Sequence, residues 1–152
     1  MTIKPLVKDG WGALHGAMIF SPAQVPLPID GHALIAACQQ RWPDQTTARV
    51  RRGAPGEVSV DIRAVDACPF VLSLYEGHMM IGMDGTPQQN VVTAAWIRSL
   101  MPWDAPRMVV ANQAFSVHAE LPFGVTPDEI AATMVDHSVA GWDADDPEMQ
   151  AL

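Results

Sequence analysis

The chain has 152 residues, 49% hydrophobic and 17% charged, which excludes a disordered chain and suffices for one domain with a buried interior. Its formal net charge is −8, with seven arginines but only Lys4 and Lys8 as lysines, so nucleic-acid binding is not expected: phosphate backbones are held by cations. No apolar run reaches the ~18 residues of a membrane span, and no cleavage site follows the broken apolar run at 13–20, so a cytoplasmic address is expected.

Residues 1–13 read as a loose lead-in. Residues 14–20 are the first candidate strand, and 21–29, with three prolines, must be a loop. Asp30 can cap a helix running to about Trp42, where Leu34, Ile35, Cys38 and Trp42 form an apolar stripe and Pro43 ends it. A short strand over 48–52 turns at Gly53-Ala54-Pro55-Gly56. Residues 57–65 then alternate cleanly: Val58, Val60, Ile62 and Ala64 share one face and Glu57, Ser59, Asp61 and Arg63 the other, the pattern of a half-buried antiparallel strand. Two further strands, 69–75 and 78–83, flank Glu76-Gly77, a spacing that predicts a tight hairpin.

Thr86-Pro87-Gln88-Gln89 and Thr126-Pro127-Asp128-Glu129 are two near-identical helix starts, each with a Thr N-cap, Pro at the first helical position and Gln or Glu at the third. The first predicts a helix to about Met101, with Val92, Trp96 and Leu100 on one line. The second predicts a helix from Pro127 to about Ala140, with Ile130, Met134 and Ser138 aligned and Gly141 as its stop. The strand-like segment 107–121 between them changes parity: Met108 and Val110 are apolar at even positions, Phe115, Val117, Ala119 and Leu121 at odd ones. A bulge or break near 112–114 is therefore predicted. Asp143, Asp145, Asp146 and Glu148 make an acidic tail over 143–152. The element order describes one α+β domain over 14–142, a mainly antiparallel sheet of about five strands with three helices packed on one face.

Motif searches assign no catalytic residue, metal site or cofactor. There is no Gly-x-Ser-x-Gly elbow, phosphate loop, His-Glu-x-x-His or Cys-x-x-Cys; Gly10-Trp11-Gly12-Ala13-Leu14-His15-Gly16 has the wrong spacing and precedes a strand, unlike a dinucleotide loop. Cys38 and Cys68 read as reduced and mostly buried thiols, Cys38 on the apolar face of a helix and Cys68 just before a strand, although spacing alone leaves pairing open. His118-Ala119-Glu120 is the sharpest polar candidate. On a strand Ser116, His118 and Glu120 point to one side, where His118 would act as base or ligand and Glu120 as its orienting carboxylate; plain alternation on a solvated sheet face produces the same pattern. His15, His32, His78 and His137 are scattered over different elements without metal-ligand spacing. Met79 and Met80 offer an adaptable apolar surface or ordinary core filling, and Trp103, between Pro102 and Asp104, a packing plug or an interface anchor.

Several short motifs resemble a family of small bacterial α+β domains of uncharacterised activity, often encoded beside type VI secretion genes. They are Pro26-Leu27-Pro28-Ile29-Asp30, Arg41-Trp42-Pro43, Pro69-Phe70-Val71-Leu72-Ser73-Leu74, Pro102-Trp103-Asp104-Ala105 and His118-Ala119-Glu120-Leu121. The likeness spans about residues 14–140, with Pro102-Trp103 in the reverse of the family's order. It implies a fold and a setting in bacterial competition, and no catalytic residues.

The expected function is a non-enzymatic protein-binding domain: an immunity or accessory protein that blocks a toxin or secretion component with a basic surface. Trp103, Met79 and Met80 would be its anchors, with Glu76 and Asp84 on the rim. The alternatives are a small enzyme or a ligand- or metal-binding domain around Ser116, His118 and Glu120, and a homodimeric structural protein.

Overall fold

The structure, a computed structural model, describes residues 5–50, 57–64 and 67–138. Eight strands form one antiparallel sheet. They are β1 (Ala17–Phe20), β2 (Thr46–Val50), β3 (Val58–Ile62), β4 (Phe70–Leu74), β5 (Met80–Met83), β6 (Val109–Ala111), β7 (Val117–Glu120) and β8 (Val135–Asp136), ordered β2-β3-β4-β5-β1-β6-β7-β8. The helices are α1 (Gly31–Arg41), α2 (Pro87–Ser99) and α3 (Pro127–Thr133). The α+β class and the three helices agree with the sequence reading, whereas the sheet has eight strands where about five were expected.

Alternation decides which face is covered. Val58, Val60 and Ile62 of β3, Phe70, Leu72 and Leu74 of β4, and Ile81 and Met83 of β5 are buried beneath the helices with Ala17, Ile19 and Val110. Asp30 caps α1 as expected, accepting from the Ala33 N–H at 2.8 Å, and Leu34 and Cys38 point into this core. The line drawn for α2 was displaced. Val91, Ala94, Ala95 and Ile97 face the sheet, Val92 is exposed, and Trp96 is half-buried, edge-on to Trp42 of the α1 C-cap at 5.1 Å. Small alanines let α2 lie close to the strands, so its apolar surface is broad and the larger side chains flank the contact instead of filling it.

Both Thr-Pro boxes form. The Thr86 hydroxyl accepts from the Gln89 N–H (3.1 Å) while the Thr86 N–H donates to Gln89 Oε1 (2.8 Å). Thr126 and Glu129 make the same exchange at 3.1 and 3.2 Å.

One local expectation is met and two are corrected. The break expected near 112–114 is present and is a complete reversal: β6 and β7 form a hairpin in which Val110 opposes Ala119, so even positions of one strand share a face with odd positions of the next. Asn112 builds the turn, its Oδ1 accepting from the Ser116 and Val117 N–H groups at 2.8 and 3.2 Å. The Glu76-Gly77 hairpin is longer than two residues, a short 3-10 turn over Glu76–His78 with both Gly77 and His78 at positive φ. The last helix stops at Thr133, because Met134 turns extended and residues 135–136 add to the free edge of β7 as β8. Ile130 and Met134 are buried as expected, while Ser138 lies exposed beyond β8.

Within the lead-in, Val7 and Trp11 pack on the core, the Val7 N–H donates to Met134 O, and a 3-10 turn at Gly10–Gly12 lies against α3. A Cβ at Gly10 would stand 2.0 Å from the Ala131 carbonyl oxygen, so only glycine permits that approach. The turn at 53–56 and the acidic tail at 143–152 lie outside the described residues.

Candidate functional site

The strand ends define two poles. Met80, Phe20, Val109 and Glu120 sit opposite one another at one end of β5, β1, β6 and β7, and Met83, Ala17, Ala111 and His118 lie toward the other. The loops at the first end carry Trp103, between α2 and β6; Phe123, after β7; Met79, before β5; and Val25, after β1. All four side chains are exposed, Trp103 to 75% and Phe123 to 60%.

Trp103 and Phe123 are tied together by a residue that helical patterning reads as an ordinary solvated arginine. Arg98, in the last turn of α2, is only 3% exposed. Its Nε donates to Leu121 O at 3.0 Å, its Nη1 donates to Met101 O and Pro102 O at 3.3 and 3.1 Å, and its guanidinium lies 5.5 Å from the Phe123 ring centre. Burial lowers its pKa, but carbonyls at a helix C-terminus suit a cation, and each bond satisfies an acceptor that would otherwise be lost to water. One buried cation thus clamps the two loops that present the exposed aromatic rings.

The five expected partner-binding residues do not form one patch. Trp103, Met79 and Glu76 share the first pole. Met80 lies on the uncovered sheet face, half-buried against a small cluster of Phe20, Val109 and Ala111. Asp84 follows β5 at the opposite end, where its Oδ1 accepts from the Val71 N–H at 2.6 Å and closes a strand end. Exposed carboxylates on the chain segments of the aromatic pole include Glu76, Asp104 beside Trp103, and Asp128 at the start of α3.

The polar candidate is also rearranged. Ser116 stands in the β6–β7 turn, where its hydroxyl accepts from Asn112 Nδ2 at 2.8 Å. His118 and Glu120 do share the uncovered face, with His118 Nε2 3.5 Å from Glu120 Oε2. Arg107 grips that carboxylate in both forks, its Nε and Nη2 donating at 2.8 Å each. Burial would raise the Glu120 pKa, but the Arg107 and His118 hydrogen bonds outweigh it and hold the carboxyl below its usual range. The partner missed from sequence is His137, whose Nε2 lies 2.5 Å from His118 Nδ1. The ring planes differ by 14° with centres 4.8 Å apart, a spacing accounted for by that N···N distance plus one ring radius at each end. The imidazoles therefore meet edge to edge in nearly one plane. The helix read through residue 140 hid this pairing, because helical geometry sends His137 away from β7. His15 and His78 do not join the site.

A cavity of about 240 Å³ opens beside His118 and Glu120, bounded by Val125, Glu129 and Thr133 from the α3 side and by Val135. The donor atoms form a line, Arg107 to Glu120 to His118 to His137, and do not converge on a point. Among the described residues no three His, Cys, Asp or Glu side chains are grouped as a metal ion requires. Among them, too, no helix is long and apolar enough to cross a membrane. Compared with family models, curated proteins and solved structures, the chain finds no match.

Proposed function

We propose that this chain is a non-enzymatic protein-binding domain that captures a basic partner at the pole presenting Trp103 and Phe123. The observation that carries the reading is the clamp: two large, mostly exposed aromatic side chains stand on loops whose Pro102 and Leu121 carbonyls are bound by one buried arginine. An exposed Trp contributes nothing to the fold, whereas a pre-positioned one loses little conformational freedom when it enters a partner's pocket. The surrounding charge supports the partner's chemistry. Glu76, Asp104 and Asp128 are exposed near this pole, while the described cations there are Arg98, buried, and Arg107, held by Glu120. A toxin neutralised by capture, or a secretion component, is the kind of partner that the family resemblance implies.

Affinity capture from the native host with wild-type chain and with the Trp103→Ala/Phe123→Ala double variant tests this. Wild type should recover one basic protein in stoichiometric amount, and the variant should lose it while remaining folded, its stability lowered by at most about 1–2 kcal/mol through loss of the Phe123 ring against Arg98. Failure to recover such a partner, or its full retention by the variant, would refute the proposal.

The cavity favours a second reading, a small-molecule site in which His118 and Glu120 supply the polar contacts. Its mark would be a ligand whose binding shifts the ring resonances of His118 and leaves Trp103 fluorescence unchanged.

A further inference from the structure

We propose that the contact between His118 and His137 is a proton-sensitive latch holding β8, and with it residues 5–7, against the edge of β7. The clasp is small. β8 has two residues, paired Val135 to His118 and Asp136 to Val117. Around it the His137 N–H donates to Ser116 O at 2.7 Å, the Asp136 N–H to Pro5 O at 2.9 Å, and the Val7 N–H to Met134 O at 2.9 Å, while Leu6 bridges to Val135. In the middle of this clasp the two imidazoles, 7% and 6% exposed, touch through ring nitrogens 2.5 Å apart.

Proton counting shows when the contact holds. Two neutral rings carry one N–H each and can meet as donor and acceptor. Glu120 selects the arrangement, since an Nε2–H on His118 facing its carboxylate leaves Nδ1 as acceptor and makes His137 Nε2–H the donor. One added proton, on a nitrogen outside the contact, converts this to a charge-assisted bond and keeps the latch shut. A second places N–H groups and positive charge on both sides of the contact. No acceptor remains in the contact, so that proton is bound only by the opened form.

The described charged groups around the pair fit this order. Glu120, backed by Arg107, faces His118 from its own strand, and Glu129 faces the same cavity from α3. The Asp136 carboxylate is turned into its own loop, accepting from the Ser138 N–H (2.8 Å) and hydroxyl (2.5 Å). Carboxylates on these sides favour the first proton and do nothing for the N–H to N–H conflict created by the second. Opening below the ordinary histidine range of about pH 6.5 takes up at least one proton per chain. The open fraction then grows about tenfold for each pH unit lost, baring the outer edge of β7 and the cavity beside it.

Hydrogen exchange of the full chain, read by NMR and corrected for intrinsic rates, tests the latch. Protection of the Val7, Asp136 and His137 amides should fall about tenfold per pH unit on the acid side, while Val91 and Ala94 of α2 change far less. In His137→Phe the Val7 and Asp136 amides should lose this steep dependence. Equal slopes for the two sets in wild type, or an undiminished slope in a folded His137→Phe, overturn the proposal. Should that variant not fold, wild-type ring ¹⁵N signals decide. A bare His118 Nδ1 coupled to His137 Nε2 at neutral pH, lost in step with amide protection, supports the latch; two rings charging independently while protection persists overturn it.

Discussion

Cys38 shows no exposed surface among the core side chains of the α1 side, and burial pushes its thiol up to about 12, with the nearby Arg41 charge pulling weakly the other way. In the unfolded chain the thiol titrates near its ordinary value of 9.0. The folded state thus keeps a proton that the unfolded state releases, and the stabilisation is intact below pH 9 and lost progressively as pH rises toward 12. Denaturation midpoints measured from about pH 8 to about pH 11 should fall less steeply in Cys38→Ala than in wild type; parallel curves would show that the thiol titrates in the folded state. The burial of Cys38 was legible from helical spacing, whereas Cys68, expected to be mostly buried as well, lies exposed ahead of β4, where no periodic pattern assigns it a face. The burial of Arg98 and His137 was not legible, since a lone arginine in a helix's last turn and a lone histidine near an acidic tail both read as solvated surface. Each is buried by groups far away in sequence: Arg98 by the Leu121 carbonyl, His137 by the turn ahead of β7.

At the scale of elements, the two capping boxes are chemically equal and structurally unequal. Loss of a Thr cap costs about 1 kcal/mol in either helix. The thirteen residues of α2 include seven buried ones from Asn90 to Arg98, whereas α3 has seven residues with two of them buried, and β8 begins two residues after its end. Thr86→Ala should therefore lower the global midpoint with little local fraying. Thr126→Ala should also speed amide exchange at Ile130, whose N–H donates to Thr126 O, and at Asp136 beyond it. Unchanged exchange at both amides would mean that tertiary packing alone holds α3. The same contrast explains which boundaries the sequence predicts well. Local chemistry sets where helices begin, so both N-termini agree to the residue. What ended α3 was an unpaired edge of β7, which has no signature within residues 127–140.

For the whole molecule, a formal charge of −8 with exposed carboxylates near the aromatic pole separates the rate of capture from the strength of holding. Long-range attraction steers encounter and is screened beyond about 10 Å at 0.1 M salt, whereas contacts of buried aromatic rings are not. Added salt should accordingly slow association with the captured partner several-fold and leave dissociation nearly unchanged, as surface plasmon resonance would show; a dissociation rate that rises with salt in equal measure would mean that charge pairs, not Trp103 and Phe123, carry the affinity. By itself the sequence determined the class of the fold, the helix starts, the alternation of β3, and the parity change between β6 and β7, because propensity, capping and side-chain period act within a few residues. Only the tertiary structure decided that the sheet has eight strands, that Asp84 is parted from Trp103, that one arginine clamps two aromatic loops, and that His118 meets His137. Those outcomes depend on which strand edges and carbonyls face one another after the chain has folded back, and the spacing of residues along it carries no record of that.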